Sequence, residues 1–466
     1  MNTPELSGEK KKAEVRRLMG LLQSNSNSNG LSTQEQIKIL QELRVHGRSL
    51  ADADLIYCKD GIKTLSRYAF QTPSVEVSRE SLRCIANALL LDPSMRQIFV
   101  DLGNGPRAAE KLKNDNSDDE FLASRILFLI TYDTNVNFDV FFDSNSLATS
   151  INDHIRRHRK QLTRGKKKMF EFMDEMGLSE TLKLLFNITT YYPHRKGDFS
   201  PSITQILRML DEIQIPTPPI QSPINYLINS LLNLDLEAKK SNLRNSNVDK
   251  LINILDRAIS IHRPDQLEVM IIPLLTLLRK IYSIAPDSVQ QWMQWLLLPD
   301  DDDREKPLGE SDTLSSRMLK LSTTTVSTQL RDAISSLMFE LSGSNADKFV
   351  RNVGYGFAAG FLVNHNIAVP ESAKEAFAIR TSNSNANSKK KSAESGVAIN
   401  PITGQRLDAE PQDRRPPMTQ EQKEREAERL FVLFQRLEAT GVVKHPVREA
   451  LEKGRLEELP DSDPDE

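Results

Sequence analysis

The chain has 466 residues, 38% of them hydrophobic and 27% charged, so it exceeds the ~250–300 residues at which one hydrophobic core stops growing. Its formal net charge of −3 gives no general attraction to nucleic acid or to an anionic membrane. Cys58 and Cys84 are the only cysteines and are widely spaced, which argues against a disulfide framework or a cysteine-rich metal site and fits a reducing compartment.

The N-terminal sequence MNTPELSGEKKKAEVRRL is charged and lacks an apolar core, so we expect no signal peptide. The longest apolar runs, such as 126–130 and 296–298, are far shorter than the ~20 residues that span a bilayer. We therefore expect a cytoplasmic protein without direct membrane insertion.

Apolar residues recur at one-turn spacing along nearly every stretch that could be ordered. The clearest examples are Leu82, Ile85, Ala86 and Leu89; Leu182, Leu185 and Phe186; Leu227, Leu231 and Leu234; and Ile271, Leu274, Leu275 and Leu278. This spacing is typical of helices, and we find no convincing period-2 alternation bounded by tight turns. The sequence therefore predicts an all-α chain.

Several of these helices resemble one another. Segments 81–90, 182–191 and 228–236 each place an asparagine four residues after another polar residue. The polar pairs are Arg83 with Asn87, Lys183 with Asn187, and Asn229 with Asn233. Segments 124–131 and 272–281 have similar apolar content without the asparagine. Successive segments lie roughly 40–60 residues apart, which predicts a superhelical solenoid of armadillo/HEAT type.

The polar pairs allow two interpretations. Residues at i and i+4 share one helix face, and the third helix of each armadillo repeat lines the concave surface, so the pairs would form a ladder there and contact a partner. Alternatively, the asparagines hydrogen-bond the neighbouring repeat and only hold the stack together. Both interpretations stay open at this point.

Four segments interrupt the helical pattern. Residues 23–30 (QSNSNSNG) predict a flexible loop, and the proline-rich residues 215–223 predict a stiff, non-helical connector. Residues 299–313 indicate an acidic exposed loop. From about residue 381 the composition is typical of disorder. The predicted organisation is a solenoid over 1–375, a flexible linker over 376–417, an amphipathic helix over 418–441 and an acidic disordered tail over 442–466.

The C-terminal helix has its own start signal. Thr419 and Gln422 have the Thr-x-x-Gln spacing of a capping box. The apolar stripe that follows consists of Ala427, Leu430, Phe431, Phe434 and Leu437, and Gly441 ends the helix. A single amphipathic helix is marginal alone, so this stripe should dock either on the solenoid or on a partner.

No P-loop motif occurs, and a glycine-rich stretch, 354–360, has the spacing G-x-G-x-x-x-G after a helix rather than the dinucleotide fingerprint after a strand. We interpret it as a tight helix–helix packing turn. The sequence therefore offers no catalytic constellation and no cofactor site.

A basic stretch, 154–168, contains His154 and His158 at the spacing of two zinc ligands on one helix. The positive charge around them opposes a dication, so we expect no metal site. The stretch could contact phosphates or an acidic protein surface, although it lacks the aromatic residues that stack on single-stranded nucleic acid. We favour an exposed basic loop between repeats.

Specific evidence comes from the C-terminal third. Segments 348–363, 400–404 (NPITG) and 418–443 resemble synembryns, the armadillo-fold exchange factors and chaperones of heterotrimeric G-protein α subunits. Segments 81–90 and 182–189 are similar to repeat helices of the same family, and the resemblance runs in register from about residue 35 to 445. Several separate motifs in the right order make chance similarity improbable.

The resemblance implies a monomeric protein that binds the GDP-loaded α subunit, promotes loss of GDP, stabilises the nucleotide-free form and assists folding of new α subunits, without covalent chemistry or a cofactor. Family members bind the α subunit's C-terminal helix on the concave face. The contacts this implies here are Arg83, Asn87, Arg125, Lys183, Asn187, Asn229 and Asn233, with Phe431 and Phe434 in the C-terminal helix. Recruitment to the inner face of the plasma membrane would then follow from the partner.

One departure concerns the linker before NPITG. Family members often carry an acidic Ser/Thr segment there, whereas residues 382–395 are basic until Glu394, which puts phosphoregulation at this place in doubt.

Two other function classes make different demands on the sequence. A passive armadillo-type scaffold or transport adaptor would bind a peptide without exchange activity. Import adaptors of that type use Trp–Asn pairs, but here Arg, Lys or Asn stands in the Trp positions, and Trp292 and Trp295 lie in one later helix. An acidic or carboxylate-ended helix therefore suits the groove better than a basic signal. An enzyme would need a constellation that the sequence does not show.

Overall fold

The computed structural model describes residues 6–25, 30–164, 169–325, 327–370, 399–410 and 419–439. Across these residues the chain is built from α-helices and short 3₁₀ turns, and the only β-type pairing is an isolated bridge between Ile399 and Arg406. The predicted all-α class is confirmed.

The helices follow in close succession. They are α1 Gly8–Ser24, α2 Thr33–His46, α3 Lys59–Phe70, α4 Val75–Leu91, α5 Ser94–Asp101, α6 Gly105–Lys111, α7 Ser117–Leu129, α8 Asp139–Asn145, α9 Leu147–Arg164, α10 Phe172–Tyr191, α11 Ser200–Glu212, α12 Ile224–Asn233, α13 Asn245–Ile261, α14 Pro264–Ile284, α15 Asp287–Leu297, α16 Leu314–Ser322, α17 Thr328–Leu341, α18 Ala346–Val353, α19 Tyr355–Asn364 and α20 Gln420–Ala439.

Local capping explains several helix starts. The Ser32 hydroxyl accepts a hydrogen bond from the Glu35 amide, and the Glu35 carboxylate accepts one from the Ser32 amide. These two bonds make a capping box at α2. The Asn116 side chain accepts two amides at the start of α7, where Asp118 and Asp119 also favour the positive end of the helix dipole. These boundaries follow from short sequence signals.

Two rows of helices stack along the chain up to Ala409. In the first row α2, α4, α7, α10, α12, α14 and α17 each pack on the next. In the second row α9, α11, α13 and α15 do the same. Leucine and isoleucine side chains fill a continuous core along the stack. Each helix contacts its near neighbours in sequence, which is the architecture of an armadillo-like solenoid.

The connector between α11 and α12 is non-helical, as the prolines of 215–223 predict. The low-complexity stretch 23–30 differs in part. Gln23 and Ser24 belong to α1, and residues 26–29 lie outside the described residues.

The expectation of a basic loop at residues 154–164 is wrong. These residues form the end of α9, where His154, Ile155, His158 and Leu162 are buried. The charges dominate the composition, but the buried residues recur at helical spacing and fix one face of α9 to the stack.

The acidic segment 299–313 is also less exposed than expected. Asp303 is 3% exposed and Arg304 is 5% exposed. The Asp303 carboxylate accepts hydrogen bonds of 2.6 and 2.5 Å from the hydroxyls of Ser311 and Thr313. Arg304 donates at 2.9 Å to the carbonyls of Asn352 and Gly404. A buried charge needs such partners, and Arg304 finds one 100 residues further along the chain.

The NPITG segment lies against the end of the solenoid. The amides of Tyr355 and Gly356 donate to the carbonyls of Pro401 and Ile402 at 2.8 and 3.1 Å. Gly354 has φ +80°, and a Cβ there would lie 2.9 Å from the Ile402 carbonyl oxygen. The glycine-rich turn therefore accommodates residues 400–404 as well as joining α18 to α19. The predicted linker, 376–417, thus contains a packed stretch, 399–409, and its other residues lie outside the described residues except Glu410.

A second unit follows from Glu410, in which helix α20 is described. The predicted capping box is confirmed, since the Thr419 amide donates to Gln422 at 3.1 Å and the Gln422 amide donates back to the Thr419 hydroxyl at 3.4 Å. Gly441 and the acidic tail lie outside the described residues. Within the described part of the chain, no helix is long and apolar enough to cross a membrane.

Candidate functional site

The predicted ladder residues of the solenoid lie on consecutive neighbours of the first row. Arg83 and Asn87 are on α4, Arg125 is on α7, Lys183 and Asn187 are on α10, and Asn229 and Asn233 are on α12. Because α4 packs on α7, α7 on α10 and α10 on α12, these residues occupy one run of adjacent helices. We call this run the ladder face.

The α4 end of the ladder face is an ion-pair cluster. The Arg83 guanidinium donates at 2.9 Å to Asp118 of α7 and at 2.9 Å to Glu80 of its own helix. Arg44 of α2 approaches Glu80 at 3.5 Å. The charge of Arg83 is therefore compensated inside the stack, and the cluster ties α2, α4 and α7 together.

The α10 part of the ladder face carries a surplus of positive charge. Glu180 is 3% exposed, and its carboxylate accepts from Arg125 at 2.9 Å and from Lys183 at 2.6 Å. The Lys183 ammonium also lies 5.1 Å from the Phe128 ring centroid and 5.7 Å from that of Tyr226. Arg125 and Lys183 thus share one carboxylate, and the rings hold the lysine in a defined position.

The asparagines of the ladder face divide into two groups. Asn187 donates to the Thr131 hydroxyl at 2.7 Å, and Asn233 donates to the Phe186 carbonyl at 3.1 Å and the Thr190 hydroxyl at 2.6 Å. Both side-chain amides therefore bond the preceding helical segment, which agrees with the alternative that the asparagines hold the stack together. Contact between these asparagines and a partner stays a prediction.

Asn87 and Asn229 differ from that pair. Both are half-buried, and among the residues that the structure describes neither side chain makes a hydrogen bond. Their amide groups have spare donors and acceptors, so they are the asparagines of the ladder face best placed to bond a ligand.

Aromatic side chains that the sequence analysis did not single out complete the ladder face. Phe128 packs edge-on against Tyr132 with ring centroids 5.3 Å apart, and Tyr132 packs edge-on against Tyr191 at 6.4 Å. Tyr191 is 53% exposed. Their signal in the sequence is the spacing of 125, 128 and 132, which continues the helical step from Arg125.

A second polar cluster lies between α7, α9 and α10 and is mostly buried. Glu120, fully buried, accepts from Nε2 of His158 at 2.8 Å, from the hydroxyl of Thr181 at 2.7 Å and from the guanidinium of Arg157. Nδ1 of His154 lies 3.6 Å from the same carboxylate. We call these residues the Glu120 cluster.

Opposing effects act on the pKa of Glu120. Burial alone would raise it, but the charge and hydrogen bond of His158, together with His154 and Arg157, outweigh burial and lower the pKa to about 2. Burial lowers the pKa of His154. His154 and His158, which have the spacing of two zinc ligands, therefore lie beside one buried carboxylate. Within the described ranges no group of three or more His, Cys, Asp or Glu side chains could hold a metal ion.

The C-terminal residues of the prediction lie in the second unit. Phe431 belongs to α20 and is about half exposed, beside Leu430, Val432 and Leu433, which are similarly exposed. The side chain of Phe434 lies outside what the structure describes. The predicted role of both phenylalanines in binding stays a prediction.

Comparison with known proteins places this geometry in context. The profile of a family described as guanine nucleotide exchange factor synembryn, Ric8, matches residues 39–455. A synembryn-like chaperone of Schizosaccharomyces pombe is 26% identical over 417 residues, covering 82% of this chain and 76% of that protein. Chaperone Ric-8A of Mus musculus is 24% identical over 493 residues, covering 94% and 89%. A designed armadillo repeat protein superposes with a TM-score of 0.36 at 13% identity, covering 60% of this chain and 97% of its own.

Proposed function

Because this chain belongs to the synembryn family of guanine nucleotide exchange factors, we propose that it is an exchange factor and folding chaperone of heterotrimeric G-protein α subunits. In this proposal the ladder face binds the C-terminal helix of the α subunit and stabilises its nucleotide-free state. The observation that supports it most is the partly exposed, aromatic and cationic surface that α7, α10 and α12 form together.

The chemistry of that surface suits a helix with an apolar face and a carboxylate. Phe128, Tyr132, Tyr191 and Tyr226 offer rings on which an amphipathic helix can pack. Arg125 and Lys183 outnumber the single carboxylate between them, so a partner's carboxylate can bind without displacing Glu180.

Binding alone is sufficient for exchange. A protein that binds the empty α subunit more tightly than the GDP-bound form must weaken GDP binding by the same factor, because the two equilibria are linked. Withdrawing the last helix from the α subunit's own core would loosen the loop that holds the guanine base. Exchange and chaperoning then become one activity, preferential binding of a loosened conformer, without a covalent step.

The test is GDP release from a purified α subunit in the presence of the intact protein or a Lys183→Glu/Asn229→Ala variant. Lys183 suits the test because part of its side chain is accessible to a partner, and Asn229 because its side chain makes no hydrogen bond within the described residues. Asn187→Ala is less suitable because it would also remove a bond that holds the stack. Lys348→Glu, a reversal at an exposed position of α18, is the charge-matched control.

We expect the intact protein and the Lys348→Glu control to accelerate GDP release. The double variant should need at least ~tenfold more protein for the same acceleration, because the loss of about two polar contacts weakens its affinity for the α subunit by that factor. Binding without faster release would refute exchange and leave the passive scaffold. Equal acceleration by all three proteins would retain exchange but remove the ladder face as its site.

A further inference from the structure

A cavity of about 820 Å³ opens beside α9, outside the ladder face. We propose that it is a binding site for a small, multiply phosphorylated anion of the inositol polyphosphate class, either free or as the headgroup of a lipid. The proposal is independent of the proposed function, since none of the ladder-face residues lines this cavity.

The cavity wall formed by α9 presents a column of positive charge. Arg156, Lys160 and Arg164 line it, are exposed, and recur every fourth residue on one face of the helix. The column spans about 12 Å at 1.5 Å per residue. Like charges at i, i+4 spacing destabilise an isolated helix, so this arrangement opposes the helix's own stability unless an anion offsets it.

Neighbouring acids neutralise only part of the wall. Asp153 pairs with Arg156, and Asp115 accepts from Arg157 at 2.8 Å. Lys160 and Arg164 have no ion pair and no hydrogen bond with any residue that the structure describes. The cavity therefore keeps a net positive charge where it faces solvent.

Other lining residues supply a further cation and hydroxyl donors. Lys113, which follows α6, lines the cavity, as do Ser146, Thr149 and Ser150 at the start of α9. Lys113 has a partner at 2.7 Å in Glu110, an exposed pair of a kind that contributes little and can open at low cost. Cations from α9 and from the residue after α6, together with hydroxyls at the start of α9, match the several acceptor oxygens of clustered phosphates.

The floor of the cavity is held in place by buried contacts. Arg157 lines it while its guanidinium contacts the buried Glu120, and Nε2 of His154 lies 2.6 Å from the Leu112 carbonyl oxygen. A ligand would therefore meet a floor that is already in position before it binds. Among the described residues, no Phe, Tyr or Trp side chain lines the cavity, which argues against stacked bases and for phosphate groups as the recognised element.

The test titrates full-length protein with inositol hexakisphosphate by isothermal calorimetry at about 0.15 M salt, where weak surface attraction is screened. The probe variant is Lys160→Glu/Arg164→Glu. The matched control is Arg16→Glu/Lys38→Glu, which reverses the same charges at exposed positions of α1 and α2. Thermal melts of all three proteins verify folding.

We expect one saturable site in the intact protein and in the control, and at least ~tenfold weaker binding in the probe variant. Equal weakening in both variants, or titration without saturation, would overturn the site. Binding of an acidic peptide but not of the polyphosphate would also overturn it.

A second arm distinguishes the source of the phosphates. Phosphatidylcholine vesicles with and without about 5% phosphatidylinositol bisphosphate are sedimented with each protein, a level at which polybasic surfaces bind such lipids. Sedimentation that needs the phosphoinositide and Lys160 with Arg164 supports a lipid headgroup, and calorimetric binding without sedimentation supports a soluble ligand.

Discussion

Glu120 and Glu180 are both buried carboxylates with cationic partners, yet their surroundings differ. The partners of Glu120 are themselves enclosed, with the His158 side chain fully buried and that of Arg157 only 15% exposed. The partners of Glu180, Arg125 and Lys183, keep about a quarter of their side chains exposed. A buried acid therefore acts either as the centre of a closed cluster or as a support that presents cations to solvent.

This difference predicts that one group of residues stabilises the fold and the other binds a partner. Breaking a mostly buried cluster leaves uncompensated charges that water reaches poorly, whereas removing a partly exposed cation leaves groups that solvent can compensate. The Glu120 cluster should therefore contribute mainly to folding and the Glu180 group mainly to recognition, and mutations in each group test this division.

The largest effect is expected for Glu120→Ala. It leaves Arg157, His158 and Thr181 without their common acceptor, so the free energy of unfolding should fall by about 3–5 kcal/mol. Urea denaturation followed by circular dichroism measures this change. A loss below about 1 kcal/mol would show that water reaches the cluster and would break the comparison.

Acidification should also remove the stabilisation that the Glu120 cluster provides. The expected loss of unfolding free energy is somewhat smaller than that caused by Glu120→Ala. The folded-state pKa of Glu120 is about 2, below its ordinary value of 4.5, so its stabilisation is present above about pH 5 and is lost as pH falls toward 2. The shift corresponds to about 3 kcal/mol. His154 acts in the same direction, because a lowered histidine pKa makes protonation on acidification favour unfolding.

The measurement is urea denaturation from pH 7 to pH 3 on the intact protein and on Glu120→Gln. The intact protein should lose more stability than the variant over this range. Parallel curves for the two proteins would mean that other carboxylates govern acid unfolding.

The smallest effect on stability is expected for Lys183→Ala. Arg125 still pairs with Glu180, and the lost ion pair is partly exposed, so the free energy of unfolding should fall by no more than about 1 kcal/mol. The affinity for an α subunit, measured by calorimetry, should also fall. The loss of binding free energy should be larger than the loss of unfolding free energy. A loss of stability near that of Glu120→Ala would contradict the division.

Much of the solenoid could be predicted because its signals are local. Periodic leucines predict the helices, and the four-residue spacing predicts that Arg83 with Asn87, and Lys183 with Asn187, share one face of α4 and of α10. The same spacing could not tell that Asn187 bonds Thr131 whereas Asn229 makes no bond with a described residue, because that depends on the neighbouring helix.

Long-range partners account for the errors. Asp303 and Arg304 stand in a run of charges that indicates exposure, and their burial depends on hydroxyls near the start of α16 and on backbone from the NPITG segment. His154 and His158 likewise appear solvated until Glu120 of α7 is placed beside them. The composition of a segment gives its charge, whereas the positions of its oppositely charged partners depend on how the chain folds.

The contact between Arg304 and the Gly404 carbonyl has a consequence for the length of the stack. Repeat arrays need a terminal unit with a different outer face, since an uncovered last repeat can recruit another copy and extend the array. Here backbone from residues 400–404 hydrogen-bonds the start of α19 and is seated on Gly354. The chain thus returns to cover the end of its own stack with a segment that is not itself a repeat.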